Sequence, residues 1–340
     1  MNSPRGITAS RKVPVIIKAA LAAATVATAI GIAPAYAQAP AAWPAKAVRI
    51  VVPFPPGGQT DIVARFIGDH LGKSWGQQVV VENRAGAGGT IGTDHVAKSA
   101  PDGYTLLLCT LAANAIAPSV YAKLPYDAIK DFTPIMALTG TPSVIGISPA
   151  LPVKNLAEFI EYAKARPGQL TFSSPGAGVS SHLAMENFAL TAGLKMTHVP
   201  YKGSAPALNA VMAGEVSATF DPISTMAPLA KAGKVRAIAM SGTKRSPLLP
   251  EVPTIAESGL RNVESYAWNG LMGPAGMAPD VVAKVFRDAG VGLRSPELRD
   301  RMAALGVDIL DMGPADFTAY VRVETEKWGA IARRVGAKAE

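Results

Sequence analysis

Val48-Arg49-Ile50-Val51-Val52-Pro53-Phe54-Pro55-Pro56-Gly57-Gly58-Gln59-Thr60-Asp61 decides the fold. Its first half is a β-branched run that ends in a Pro/Gly turn, the signature of a buried strand. Residues 60–73 then place Ile62 over Phe66 and Val63 over Ile67, with Leu71 continuing the stripe, which is the spacing of an amphipathic helix. Strand, glycine-rich turn and helix together form the repeating unit of an α/β protein. The unit recurs with a strand at 79–81, a helix from Gly89-Thr90 toward Lys98, and a strand at 106–108.

The rhythm restarts in the middle of the chain. Strands are expected at 143–148, 170–173, 196–199, 217–220 and 235–240, with helices near 181–190, 205–213 and 225–232. Asn155 followed by Glu158 three residues later has the form of a capping box, opening a helix that stops at Arg166-Pro167-Gly168. Two mostly parallel sheets flanked by helices follow from this pattern, with the chain crossing between them near 132–140 and 268–273. The expected division is a discontinuous first domain, 38–138 plus 268–340, and an inserted second domain, 139–267.

Residues 1–37 read as a secretory signal peptide. Arg5, Arg11, Lys12 and Lys18 form a basic start without acidic residues, an alanine-rich apolar run follows, and Ala35-Tyr36-Ala37 supplies a small-x-small cleavage signal before Gln38. The expected location is therefore the periplasm. Removing this segment lowers the formal charge by four, from +8 to +4. No basic block interleaved with aromatics remains, so nucleic acid is not an expected partner. Charged residues are only 17% of the chain, yet nothing downstream approaches the roughly 18–20 apolar residues of a spanning helix. The single cysteine, Cys109, lies in an apolar run and reads as a buried small hydrophobe, and the four histidines show no metal-ligand spacing.

The informative loops join strand ends to helix starts. The turn at 53–61 and Ser173-Ser174-Pro175-Gly176-Ala177-Gly178-Val179-Ser180-Ser181 share one design, in which unpaired backbone N–H groups at a helix start suit a carboxylate. One per expected domain, at the carboxyl edge of a sheet, is where α/β proteins bind ligands. Thr60 or Asp61 is a candidate cap for the first helix. Gly86-Ala87-Gly88-Gly89-Thr90-Ile91-Gly92 departs by one residue from the dinucleotide fingerprint and lacks an acidic residue after the next strand. Ser180-Ser181-His182 is not a hydrolase elbow, and His182 is expected to pack or hydrogen-bond at a helix start. Lys202 is either a solvated side chain or a cation near the ligand. Asp221-Pro222 is expected to be a helix cap, the alternative being a contact to a ligand hydroxyl or ammonium.

Taken in order, several stretches resemble the Bug family, the periplasmic solute-binding proteins of tripartite tricarboxylate transporters. They are the 53–61 loop, Val79-Val80-Val81-Glu82-Asn83-Arg84 with its Gly-Ala-Gly-Gly, Pro101-Asp102-Gly103-Tyr104-Thr105-Leu106, 176–183, Val199-Pro200-Tyr201-Lys202-Gly203, 245–254, and Trp268-Asn269-Gly270-Leu271 with Pro274-Ala275-Gly276. The resemblance implies a type II-like clamshell, not an enzyme, that grips a small carboxylate between two lobes. It also implies delivery to transporter membrane subunits, no cofactor, and a monomer. On the matching positions, Phe54, Pro55, Gly58 and Gln59 would form one jaw with Ala112 and Ala113 beside them. Ser174, Gly178, Val179, Ser180, Tyr201 and Asp221 would form the other. Gln59 stands where a small or hydroxyl residue is usual, and Val179 where Ser or Thr is usual. A ligand with one tightly held carboxylate and a partly apolar body, aromatic or branched, is therefore expected. A sensing subunit for a signalling partner remains an alternative, as does a periplasmic enzyme, although no nucleophile–base pair is visible in the sequence.

Overall fold

In the computed structural model, β1 (Val48–Val52) is the central strand of its neighbourhood, paired in parallel with strands on both sides. Four of its five side chains are buried, which is why it reads as an almost continuous apolar run rather than an alternating one. The structure describes residues 43–338 together with Met1 and Gly6. The rest of the expected signal peptide, its cleavage site and residues 38–42 lie outside the described residues.

α1 (Gln59–Trp75) buries Val63, Ala64, Ile67 and Leu71 against the sheet and stops at Gly76, whose φ of 63° sets a left-handed cap. Burial of each such aliphatic side chain is worth roughly 1.5–3 kcal/mol. β2 (Val79–Asn83), α2 (Thr90–Ala97) and β3 (Thr105–Thr110) complete the first parallel set, β2-β1-β3. Cys109 is fully buried in β3, and burial pushes its thiol far above its ordinary pKa. A π-helical turn, Ala112–Ile116, leads into the short α3 (Ala117–Val120).

β4 (Phe132–Ile147) departs from the sequence reading, which placed a strand only from residue 143. It is one 16-residue strand that belongs to both sheets. Residues 132–142 pair with a strand of the first sheet, and residues 143–147 pair with strands of the second. Pro134, Gly140 and Pro142 obscured it, because prolines and glycines weaken a strand signal. Irregular register near Pro134 and Ala137 accommodates the interruption.

The second sheet follows with α4 (Leu156–Lys164), β5 (Thr171–Ser174), α5 (Ser180–Thr191), β6 (Thr197–Pro200), α6 (Ser204–Ala213), β7 (Ala218–Pro222), α7 (Ile223–Lys231) and β8 (Arg236–Met240). The capping box opens α4: Asn155 Oδ1 accepts the Glu158 N–H at 2.9 Å, and Asn155 Nδ2 donates to Glu158 Oε1 at 2.8 Å. β6-β5-β7 is parallel, and β7 and β8 flank the end of β4 antiparallel to it. The chain returns through β9 (Tyr266–Pro274), α8 (Pro279–Leu293), α9 (Pro296–Ala304), β10 (Asp308–Met312) and α10 (Pro314–Val335).

β9 is not a crossing between sheets, contrary to the expectation for 268–273: it lies wholly in the first sheet, antiparallel to β3 and β4. Its run from Trp268 to Pro274 is buried because it is paired on both sides. The parallel character expected of the sheets thus holds for β2-β1-β3 and β6-β5-β7, while β4, β8, β9 and β10 add antiparallel pairs. Among the described residues, no helix is long and apolar enough to cross a membrane.

Candidate functional site

The carboxyl ends of β1 and β5 lead through glycine turns into α1 and α5, and the starts of both helices line one cavity of 260 Å³. Phe54, Gln59 and Thr60 come from one turn, and Val179 and Ser180 from the other. Thr110, Leu111 and Ala112 close a third side, Gly88 a fourth, and Ala267, Trp268 and Asn269 of β9 form the remaining wall. Among the described residues, no charged side chain lines this cavity. The first N–H groups of a helix have no intrahelical acceptor, so two sets of donors, with the positive ends of two helix dipoles, converge here. Hollows of 320 and 340 Å³ near Arg236 and near Lys46 are larger, but they sit at the amino-terminal edges of the parallel strands, away from both helix starts.

The first turn is built around Asp61. Its Oδ2 accepts from the Gly57 N–H at 2.9 Å and from Arg65 Nε at 2.9 Å, while Oδ1 accepts from Asn83 Nδ2 at 2.9 Å. Asn83 Nδ2 also reaches the Phe54 carbonyl at 3.0 Å, tying the end of β2 to the turn. Burial acts to raise the Asp61 pKa, but the hydrogen bonds from Arg65, Gly57 and Asn83 outweigh it and hold the carboxyl below its ordinary value. Neither Thr60 nor Asp61 is the cap residue, as the sequence had offered: Gly58 occupies that position, and Asp61 reaches one residue further back. A Cβ on Gly89 would stand 3.3 Å from the Phe54 ring, so the Gly-Ala-Gly-Gly loop lets this turn pack closely.

The second turn has the same backbone. Gly178 has φ 75° where Gly57 has 88°, and the cap residue Val179 (φ −75°, ψ 162°) matches Gly58 (φ −76°, ψ 167°). The Gly178 N–H donates to His182 Nδ1 at 3.0 Å, so this amide is engaged within the protein rather than open to a ligand. His182 therefore hydrogen-bonds at the helix start, as its position in the sequence implied. Its ring stacks on His198 at 3.8 Å and 14°. His198 Nε2 lies 2.6 Å from the Ser174 hydroxyl, which donates to the Gly176 carbonyl at 2.7 Å. Burial, then the neighbouring His182, lower the His198 pKa to about 4.

Of the expected site residues, Phe54, Gln59, Ala112, Val179 and Ser180 face the cavity. Pro55 and Gly58 are exposed on the rim of the first turn, and Ala113 is buried behind Ala112 with its carbonyl accepting from the Tyr126 hydroxyl at 2.7 Å. Ser174, Tyr201 and Asp221 stand together at the carboxyl edge of β5, β6 and β7 but do not line the cavity. Lys202 is exposed and also lies outside it. Asp221 is not a helix cap: Pro222 holds that position, and the carboxylate accepts from Thr225 Oγ1 at 2.5 Å instead. Its other oxygen is buried without a partner, and burial raises its pKa to about 6.

Sequence reasoning missed Thr60, Gly88, Thr110, Leu111, Ala267, Trp268 and Asn269 as cavity residues. Gln59 Nε2 donates to Thr141 Oγ1 of β4, and Asn269 Nδ2 lies 3.4 Å from Thr139 Oγ1, so the cavity wall is knitted to the strand shared by both sheets. Trp268 Nε1 donates to the buried Glu324 carboxylate at 3.2 Å, which fixes the indole from behind. The Trp-Asn-Gly-Leu stretch carried the signal, but its side chains had no assigned direction.

Residues 63–337 match the model of the tripartite tricarboxylate transporter family receptor. The chain belongs to that family. BugT of Bordetella pertussis is 37% identical over 297 residues, covering 87% of this chain and 91% of BugT. Among solved structures similar to this receptor chain, a Rhodopseudomonas palustris protein with adipate has a TM-score of 0.76 and 34% identity, covering 87% of this chain and 99% of its own. MatC from Rhodopseudomonas palustris with bound malate has a TM-score of 0.72 and 34% identity, covering 85% and 99%. The periplasmic binding protein BugD has a TM-score of 0.73 and 34% identity, covering 88% and 100%. The two-lobed α/β clamshell is thus the architecture of this receptor and of its relatives.

Proposed function

We propose that the chain is exported to the periplasm with cleavage before Gln38, and that it captures one small carboxylate in the cavity lined by the starts of α1 and α5. It then presents the loaded form to the membrane subunits of a tripartite tricarboxylate-type transporter. The lobes that close on the ligand are the first and second sheets with their helices, divided where β4 exchanges partners between Pro142 and Ser143. The convergence of two helix starts on a cavity without a charged side chain carries this reading. Backbone N–H groups and the Thr60 and Ser180 hydroxyls can hold one carboxylate, each charge-assisted bond contributing roughly 1.5–3 kcal/mol.

Phe54, Leu111, Ala112, Val179, Ala267 and Trp268 make most of the remaining lining apolar, with the uncharged Gln59, Thr110 and Asn269 among them. That favours a ligand with one carboxylate and an aromatic or branched body over a citrate-like polyanion, whose further charges would meet no cation. The cavity is slightly smaller than the roughly 300–1,000 Å³ of drug-sized sites, which suits a small acid. Ser174 and His198 form a hydroxyl–imidazole contact, but the hydroxyl is buried and donates to Gly176, so it is not poised as a nucleophile. Binding without turnover is the reading that fits.

Calorimetry with benzoate, 3-methylbutanoate, adipate and citrate tests the proposal. Micromolar binding, about −8.2 kcal/mol, is expected for benzoate or 3-methylbutanoate. Tight binding of adipate or citrate with neither monocarboxylate bound would overturn the ligand class.

A further inference from the structure

We infer that His182 is the positioning residue of the second jaw, the counterpart of Asp61 in the first. The two turns superimpose in role residue by residue. Gly57 and Gly178 take left-handed φ values of 88° and 75°, Gly58 and Val179 cap the helices with nearly equal angles, and an acceptor four residues after each glycine receives its N–H. In the first jaw the acceptor is a carboxylate, and in the second it is imidazole Nδ1. Because the Gly178 N–H donates to it, this nitrogen carries no proton, and the His182 proton sits on Nε2, 3.7 Å from Glu186 Oε1.

The ring is held for this task. His182 is 7% exposed and stacks on His198, and Phe172 lies 4.9 Å from the His198 ring at 26°. His198 in turn contacts Ser174 Oγ, which also bonds the Gly176 carbonyl. Two stacked imidazoles therefore tie the 175–179 turn at its entry and its exit. Val179 and Ser180, at the end of this turn, are the only second-lobe residues lining the cavity among the described residues, so the setting of this turn decides what the ligand meets. That consequence rests on the proposed reading of the cavity as the carboxylate site.

Two variants separate acceptor from packing. His182→Phe keeps a stacking ring and removes the acceptor, whereas His182→Asn loses the ring and offers an amide oxygen near the place of Nδ1. Amide exchange of a peptide spanning 175–183 in the ligand-free mature chain is expected to be at least tenfold faster in His182→Phe and close to wild type in His182→Asn. Equal exchange in the two variants would overturn the inference, whatever ligand is bound. Calorimetry with benzoate and adipate is expected to show at least tenfold weaker binding in His182→Phe and less than threefold loss in His182→Asn, with cooperative unfolding in both. If wild type binds a probe and His182→Phe binds it equally well, His182 does not position the site. If wild type binds none of the carboxylates tested, the functional proposal fails, and the exchange result alone decides the role of His182 in the turn.

Discussion

The two jaws reach one backbone conformation by different chemistry. Under the first turn lies Asp61, charged, with Arg65, Asn83 and the Gly57 amide around it. Under the second lies His182, stacked on a second histidine. Both glycines adopt a left-handed conformation that turns an amide toward the side chain four residues on. The Gly178 amide is buried, where lacking an acceptor would cost about 1–3 kcal/mol, whereas Gly57 is exposed and its acceptor chiefly fixes the turn. A carboxylate can serve in the first jaw because three donors keep it ionised and offset its charge beside the proposed carboxylate site. The second jaw uses a ring that accepts without a formal charge.

The largest effect expected from breaking this pairing is at Asp61. Asp61→Ala leaves the Gly57 amide and one Asn83 bond without an acceptor and breaks an ion pair whose Arg65 side is exposed. Urea unfolding should show a loss of about 3 kcal/mol, most of it from the orphaned donors, with carboxylate binding abolished in calorimetry.

Buried carboxyls of the two sheets should also respond oppositely to pH. Asp61 has a depressed folded pKa, so its contribution is present above about pH 4 and is lost as pH falls through its lower folded value. Asp221, on the second-lobe edge, has a folded pKa raised from 3.8 to about 6. Its contribution is fully present below pH 3.8 and is lost as pH rises to about 6, because the unfolded chain ionises first. The loss is on the order of 2–3 kcal/mol. Asp221→Asn should remove the slope between pH 4 and 6 in a urea-midpoint series while leaving the acid limb, which belongs to carboxylates such as Asp61.

A smaller contrast concerns the glycines. The resemblance placed Gly58 in one jaw and Gly178 in the other, but the structure separates their need for glycine. Gly58 has φ −76° with nothing within 4 Å of an added Cβ, whereas Gly178 is left-handed. Gly178→Ala should cost about 1–2 kcal/mol and weaken binding, while Gly58→Ala should stay near wild-type stability in thermal unfolding. The smallest effect is expected at Val179 in the cavity wall. Val179→Ser should shift preference a few-fold toward smaller, more polar acids across the same calorimetric panel.

The strand–turn–helix unit at 48–73 was legible because each signal lies within a few residues of its effect: β-branched run, Pro/Gly turn, four-residue stripe. The same holds for Asn155 with Glu158, whose bond spans three residues. β4 was only half legible, since its prolines read as loop until pairing on both edges supports them. The equivalence of Asp61 and His182 was present as an identical offset from a glycine, but a carboxylate and an imidazole do not look alike as letters.

The sequence by itself determined the alternation of strands and helices, the two glycine turns, and the family to which the chain belongs. The first two rest on local propensity and on periodicity, which act over one or two turns of chain, and the family rests on the resemblance of whole stretches taken in order. Only the tertiary structure decided that Trp268 and Asn269 meet Gln59 and Val179 in one cavity, and that His182 stacks on His198 while Asp221 keeps an oxygen without a partner. Those contacts join residues far apart in the chain, and their direction is set by the register of β9 against β4 and by the packing of α5 on β5. A one-residue shift of that register would turn Trp268 to the opposite face, and nothing in its neighbouring residues records which face was chosen.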